Sequence, residues 1–154
     1  TTRMVTEWPG DEIRPSWSPN GKKVAIYSNK GTKNDKVFDL WVVDLSGQNA
    51  LRLAKDVIYD SQSGPVWTPD GQTLVYVKRD FKRDNPVRWT RIDGSSGGIL
   101  DTGTQLNADL TLYPGAGSTM KLAFKALGQR GSTEKTWERI YVVTFELADL
   151  VSGQ

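Results

Sequence analysis

The residue types that carry out most enzyme chemistry are absent from this sequence or stand in the wrong setting. Its 154 residues include no His and no Cys, which removes the usual general base, the Ser-His-Asp triad and thiolate metal ligands. The segment Gly94-Ser95-Ser96-Gly97-Gly98 has the spacing of a hydrolase nucleophile elbow. An elbow needs a strand-to-helix turn and a His partner, whereas this segment falls in a predicted hairpin. We therefore predict no catalytic residue, no cofactor and no enzyme activity in this chain.

Positive charge is concentrated in three segments that follow apolar runs, at residues 29–36, 78–85 and 128–135. The net charge of +2 is too small to indicate nucleic acid, so we predict that these cations meet an acidic protein partner. Ordinary solvated loops are the alternative interpretation. The candidate binding residues are the cations and aromatics of these segments and one further Tyr, namely Lys30, Lys33, Lys36, Tyr59, Lys78, Arg79, Phe81, Lys82, Arg83 and Arg130.

Carboxylates near the same segments raise the question of a cation site. Asp11, Glu12, Asp56 and Asp60 carry the oxygen ligands that calcium prefers. No Asp-x-Asp-x-Asp-Gly loop accompanies them, and solvated acids are the favoured interpretation. We predict no metal site.

A repeat indicates which elements position these residues. Trp17-Ser18-Pro19-Asn20-Gly21 recurs as Trp67-Thr68-Pro69-Asp70-Gly71 after 67 − 17 = 50 residues, the size of one supersecondary unit. Pro fixes φ in the turn, Asn or Asp accepts the second central position, and Gly supplies a positive φ. Each copy therefore predicts a strand, a tight turn and a second strand. A third, altered copy contains Leu112-Tyr113-Pro114-Gly115.

Short strands between turn signals predict an all-β chain. The predicted strands lie near residues 3–6, 14–17, 23–28, 39–44, 50–54, 64–67, 73–78, 87–92, 98–101, 109–113, 121–126 and 138–145. They make one separate strand followed by groups of four, four and three, and four-stranded units repeated radially are propeller blades. A short helix is predicted only at 146–151. With 37% hydrophobic residues, no membrane span is expected.

The residues from Trp17 to Ile26, followed by Asp39-Leu40-Trp41-Val42-Val43-Asp44, resemble the repeat of TolB-type β-propellers, the WD-repeat-like blades of the bacterial Tol system. The resemblance implies a single propeller segment over residues 1–154, with blades at about 13–54, 63–101 and 107–145. Residues 1–12 resemble the outer strand and exit loop of a neighbouring blade. Three four-stranded antiparallel blades are too few for an ordinary closed ring. We favour part of a larger propeller over two copies that form a six-bladed ring.

The propeller geometry also carries expectations for the candidate residues. Equivalent loops of every blade emerge on one face, so the three basic segments are expected to converge on a rim beside the central channel. Trp17, Trp41, Trp67 and Trp89 are expected to pack between neighbouring blades.

The resemblance implies a non-catalytic interaction or scaffold module in the periplasm or elsewhere in the bacterial cell envelope. Its expected partner is an envelope lipoprotein or a similar acidic protein, with a homodimer or another chain completing the propeller. Two alternatives remain open: the propeller portion of a peptidase or polysaccharide-processing enzyme, and a carbohydrate-binding module.

Overall fold

Three antiparallel sheets follow one another along the chain, and we call them blades 1, 2 and 3. The computed structural model describes residues 1–59, 63–79, 84–131 and 137–150. In blades 1 and 2 the spatial order of the four strands is the chain order. The strands of blade 1 are β1 (Glu12–Trp17), β2 (Lys23–Ser28), β3 (Val37–Asp44) and β4 (Ala50–Tyr59). The strands of blade 2 are β5 (Val66–Trp67), β6 (Thr73–Val77), β7 (Val87–Arg91) and β8 (Gly97–Ile99).

Blade 3 has three strands within the described residues, and a separate two-stranded ladder accompanies it. The ladder pairs β9 (Thr104–Gln105) with β12 (Gly128–Gln129), and the blade consists of β10 (Ala108–Pro114), β11 (Thr119–Ala126) and β13 (Arg139–Glu146). β13 pairs with β11 and forms an edge of the sheet. The ladder was not predicted. The predicted terminal helix is a single 3-10 turn, Leu147–Leu150, and no other helix occurs in the described part of the chain.

The turns of the first two blades confirm the repeat. In blade 1 the Gly21 amide donates to the Ser18 carbonyl at 2.9 Å, and in blade 2 the Gly71 amide donates to the Thr68 carbonyl at 2.9 Å. Both glycines have φ of 67°, the positive φ that the turn chemistry predicts. The Asp70 carboxylate accepts a hydrogen bond from the Gln72 amide at 3.0 Å, which stabilises the turn.

The segment that precedes blade 1 differs from the prediction. Residues 1–11 contain no strand, so the strand predicted at 3–6 is wrong, because no strand in the described part of the chain forms a ladder with this segment. Val5 and Trp8 pack on Val24 and Ile26 of blade 1 instead. The assignment of residues 1–12 to a neighbouring blade stays a prediction.

The hydrophobic core lies between consecutive blades. Tyr27, Leu40 and Leu74 are fully buried between blades 1 and 2, and Val87 and Leu122 are fully buried between blades 2 and 3. Each sheet therefore depends on a neighbour to remove its apolar face from water. No helix in the described ranges is long and apolar enough to cross a membrane.

The four repeated Trp residues differ in their burial and in what they pack against. Trp67 and Trp89 are buried between blades, as predicted. The ring of Trp41 packs on that of Trp8 with their centroids 5.0 Å apart. Trp17, in contrast, is 61% exposed. The prediction that it packs between blades is wrong for this structure, because no sheet of the described chain covers that side of blade 1.

Candidate binding surface

The first basic loop joins β2 to β3, and Asn29 fixes its start. The Asn29 side-chain oxygen accepts from the Asp11 amide at 2.7 Å, and its side-chain nitrogen donates to the Asp35 carbonyl at 2.9 Å. Lys30 leaves this anchored turn and places its Nζ 4.0 Å from the ring centroid of Trp8 and 5.5 Å from that of Trp41. A cation over aromatic faces stabilises the packing beneath it. Lys30 is thus engaged within the fold.

Lys33 and Lys36 are exposed in the same loop. Lys33 lines a shallow cavity of about 340 Å³, whose other charged lining residues are two cations, Arg52 and Lys55, and two acids, Asp39 and Asp56. The Arg52 guanidinium bonds the Asp39 carboxylate at 3.3 Å, and Asp39 also accepts from the Asp56 amide at 2.9 Å. Positive and negative charges are mixed in this cavity, so it does not favour an anion strongly.

Arg130, in the third basic loop, binds an acid of its own chain. Its guanidinium lies 3.0 Å from the Asp101 carboxylate, and its amide donates to the Gly103 carbonyl at 2.9 Å. The Gly103 amide and then the Arg130 charge hold the pKa of Asp101 below its usual value. Arg130 therefore ties the loop after β11 to the connection before β9.

The second basic loop is attached to blade 1. The Arg79 amide donates to the Val57 carbonyl of β4 at 2.9 Å, and the Lys78 amide donates to the Pro86 carbonyl at 3.1 Å. The Lys78 side chain is half-buried. Phe81, Lys82 and Arg83, with the side chain of Tyr59, lie outside the described residues.

Lys78 borders a cleft between the outer strands of blades 1 and 2. The cleft has a volume of about 380 Å³, and two further cations line it, Lys55 from β4 and Arg88 from β7. No Asp or Glu is among its described lining residues. The three cations come from three separate elements, and all three border the cleft where blade 2 packs on blade 1. This cleft is the site that suits an anionic group best.

Sequence reasoning missed Lys55 and Arg88 because both lie within strands and not in the charged loops. Strand register supplies the signal for Arg88. It pairs with Tyr76 as Trp41 pairs with Ile26 in blade 1, so a cation stands where the preceding repeat has an aromatic. Burial raises the pKa of Tyr76, and the charge of Arg88 beside it opposes that rise.

The elbow-like segment forms a hairpin. It connects β7 to β8, and the Asp93 carboxylate accepts from both the Ser95 amide at 2.9 Å and the Ser95 hydroxyl at 2.6 Å. The Ser95 hydroxyl thus serves the turn. Among the described residues there is also no cluster of three or more His, Cys, Asp or Glu side chains that could hold a metal ion. The convergence of all three basic loops on one rim stays a prediction.

Comparisons with known proteins define the fold. No protein-family profile and no curated protein matches the chain. A solved structure assigned as TolB from Agrobacterium tumefaciens matches 94% of this chain and 51% of its own, with a TM-score of 0.64 and 19% identity. A structure assigned as a conserved lipoprotein from Clostridium novyi NT matches 94% of this chain and 92% of its own, with a TM-score of 0.57 and 14% identity.

The β-propeller domain of the Trilobed protease from Pyrococcus furiosus also matches, with a TM-score of 0.50 and 15% identity over 93% of this chain and 41% of that one. The chain thus spans about half the length of the TolB structure. These similarities confirm the predicted fold, an all-β chain of TolB-like β-propeller blades.

Proposed function

We propose that this chain is a non-catalytic module that binds an acidic segment of a protein partner in the cleft between blades 1 and 2. The observation that carries the proposal is the meeting of Lys55, Lys78 and Arg88 around a cleft whose described lining has no carboxylate. Cations around a cleft whose described lining has no acid steer an acidic partner and select it over a basic one, and among them Lys55 also borders the cavity that contains Asp39 and Asp56. The apolar side chain of Leu53, on the same cleft, gives a bound segment a nonpolar contact.

The absence of catalysis is part of the proposal. The sequence has neither His nor Cys, and Ser96 lies in a hairpin and not in a strand-to-helix turn. We expect no turnover of peptide esters or oligosaccharides by the purified chain. Turnover that Ser96→Ala abolishes would contradict this expectation.

We extend the proposal to the bacterial cell envelope, with the periplasm as the compartment. Two of the structures that share this fold are assigned as TolB and as a conserved lipoprotein, and this likeness supports the proposed location. An envelope lipoprotein is then a natural source of the acidic segment. Osmotic-shock fractionation of cells that make the protein tests the location independently of binding.

Fluorescence anisotropy tests the cleft. The probe is a fluorescein-labelled peptide of alternating Glu and Ser, with a peptide of alternating Gln and Ser as the neutral control. We expect Lys55→Glu with Lys78→Glu to weaken binding by about tenfold or more. The matched control reverses two cations at the β1–β2 turn, Lys22→Glu with Lys23→Glu, and is expected to leave the affinity within about twofold.

The outcome of this comparison decides the proposal. Binding of the Glu peptide that weakens with added salt and responds only to the cleft reversals supports it. Equal effects of the two double reversals, or equal binding of the Glu and Gln peptides, would overturn it.

A second function remains in view, the propeller portion of a larger enzyme. The likeness to the propeller domain of the Trilobed protease favours it, and the chemistry would then lie outside these 154 residues. Sequencing beyond residue 154 in the parent gene tests the second function, since a hydrolase domain encoded there supports the enzyme.

A further inference from the structure

The contact between consecutive blades is built twice in this molecule from the same strand positions. Each blade presents four residues of its second and third strands to the next blade, and we call these positions its forward face. Strand register aligns them across the three blades. The forward faces are Ala25, Tyr27, Leu40 and Val42 in blade 1, Val75, Val77, Val87 and Trp89 in blade 2, and Ala123, Lys125, Ile140 and Val142 in blade 3.

The forward face of blade 3 is uncovered. Ile140 and Val142 are 73% and 62% exposed, whereas Leu40 and Val42 at the same positions of blade 1 are 0% and 3% exposed. Tyr113 lies on the same side of blade 3 and is 66% exposed. A group of exposed apolar side chains on one face of a sheet marks a surface that another element covers.

One of the four positions of this face is charged, and Lys121, which pairs with Tyr113, adds a second charge at the end of the same side. Lys125 stands where blade 1 has Tyr27, and its ammonium group lies 3.4 Å from the carboxylates of both Asp109 and Glu138. The charge is therefore already compensated within blade 3. It does not prevent a second sheet from packing on Ile140 and Val142.

The opposite side of blade 1 carries the complementary surface. We call the positions that receive a preceding blade the rear face, and strand register with turn position aligns them between the first two blades. In blade 2, Trp67 is buried and its indole N–H donates to the Ser16 carbonyl of blade 1 at 2.9 Å. Trp17 holds the same position in blade 1 and is 61% exposed. The rear faces are Trp67, Leu74, Tyr76 and Ile92 in blade 2, and Trp17, Val24, Ile26 and Leu45 in blade 1.

Residues 1–8 pack on the rear face of blade 1 in the way that the fourth strand of blade 1 packs on the rear face of blade 2. The fourth strand of blade 1, β4, packs Leu53 and Val57 against the rear face of blade 2, and its Leu51 lies 3.8 Å from the position of a Cβ on Gly94. Val5 and Trp8 pack against the rear face of blade 1. The Val5 carbonyl contacts Gly47, the turn glycine equivalent to Gly94. The segment thus lies against blade 1 in the place that an outer strand of a preceding blade takes.

Blade 3 offers the pairing partner for this segment, an edge strand. Within the described residues it consists of three strands, and its last strand, β13, has a free edge eight residues long. A free edge of this length pairs readily with an added extended segment. The three strands of blade 3 and the segment 1–8 together supply the four strands of one blade.

The sequence alone favours part of a larger propeller, but the exposed Ile140, Val142 and Trp17 occupy matching positions of two such faces. We therefore propose that two copies of this chain associate, with the forward face of blade 3 of each copy packed on the rear face of blade 1 of the other. Residues 1–8 of each copy lie along β13 of the other as its fourth strand. Trp17 then donates to the carbonyl of Thr111, which pairs with Ala123 as Ser16 pairs with Ala25. Two such head-to-tail contacts related by a two-fold axis close the pair. The ring has six blades, within the usual range for propellers.

Sedimentation velocity over a broad concentration range tests the association. We expect the chain to form a dimer that dissociates on dilution, and Val142→Arg to give a monomer at every concentration. Trp17→Arg, on the other side of the contact, is expected to do the same. Gln72→Arg adds the same charge at an exposed turn of blade 2, whose two faces are already covered, and should leave the dimer intact. Circular dichroism verifies that each variant is folded.

Fluorine NMR locates the contact. With 5-fluorotryptophan incorporated, the resonance of Trp17, assigned by Trp17→Phe, should shift as the dimer forms, while that of the buried Trp67 should not. Monomers at all concentrations, a dimer that both arginine variants leave intact, or an unchanged Trp17 resonance would overturn the proposal. Open-ended polymers would overturn the closed pair.

Discussion

Trp17 and Trp67 begin the same turn motif in blades 1 and 2, yet one is 61% exposed and the other 8%. The turns that follow them match in hydrogen bonding and in φ. The difference arises beyond the turn, because Trp67 meets β1 and bonds Ser16 at 2.9 Å, whereas no sheet of the described chain covers Trp17. The comparison teaches that local sequence determines the strand and its turn, while burial depends on the neighbouring blade.

The largest test of this comparison is truncation of the two indoles. Trp67→Ala removes a side chain buried between blades and is expected to lower the free energy of unfolding by about 3–5 kcal/mol. Trp17→Ala should cost much less at dilutions where the chain is monomeric. Urea unfolding followed by far-UV circular dichroism measures both. Similar decreases in the free energy of unfolding for the two variants would show that Trp17 is as buried as Trp67.

A smaller effect is expected at the turn glycines, where the two blades should behave alike. Gly71 has φ of 67°, so Gly71→Val forces a branched side chain into a conformation that costs about 1–3 kcal/mol. A Cβ there would also lie 3.6 Å from Pro19 of blade 1, whereas one on Gly21 meets nothing within 4 Å. Gly71→Val should thus be at least as damaging as Gly21→Val in thermal unfolding. Gln72→Ala is the control and should melt like the parent chain.

The core between blades 1 and 2 holds a third contrast, between two tyrosines. The Tyr27 hydroxyl is buried and has no hydrogen-bond partner in the described structure, and burial raises the pKa of Tyr27. Tyr76 lies beside Arg88. Because an unsatisfied buried hydroxyl costs free energy, Tyr27→Phe should raise the free energy of unfolding by about 1 kcal/mol, and Tyr76→Phe should not. A destabilised Tyr27→Phe variant would contradict the absence of a partner.

What the sequence predicts well is local. The strands predicted from residue 14 onwards, the two Gly turns and the altered third copy follow from turn chemistry and short apolar runs, and the structure confirms them. The sequence does not reveal that Lys30 covers Trp8, that Arg130 binds Asp101 or that Lys55 and Arg88 share a cleft. These contacts join residues far apart in the chain or in different blades, and no turn signal encodes them. The predicted burial of Trp17 is wrong for the same reason, since it requires a neighbouring blade that the described chain does not provide.

The smallest expected effect separates the outgoing turns of blades 1 and 2. Hydrogen bonds from Ser46 and Asn49 lower the pKa of Asp44 from 3.8 to about 2, and Ser95 lowers that of Asp93. A carboxylate whose folded pKa is depressed stabilises the fold above its unfolded pKa and loses that contribution as pH falls through the folded pKa. The advantage of the parent chain over Asp44→Asn should therefore be complete near pH 5, fall as the pH is lowered through the folded pKa, and vanish only near about pH 1.

Asp93→Asn provides the matched comparison, because Asp93 has one side-chain hydrogen-bond partner, Ser95, and a long ion pair to Arg91 at 3.7 Å, whereas Asp44 has two hydrogen-bond partners, Ser46 and Asn49. Urea unfolding of the three proteins across this pH range should show a larger pH-dependent difference for Asp44→Asn than for Asp93→Asn. Asp44 is half-buried and Asp93 is exposed, and both lie at the surface in outgoing turns, so added salt and water competition keep both differences small. Curves that coincide at every pH would mean that the Asn49 contact contributes nothing, and that the two outgoing turns are as alike energetically as the two Gly turns.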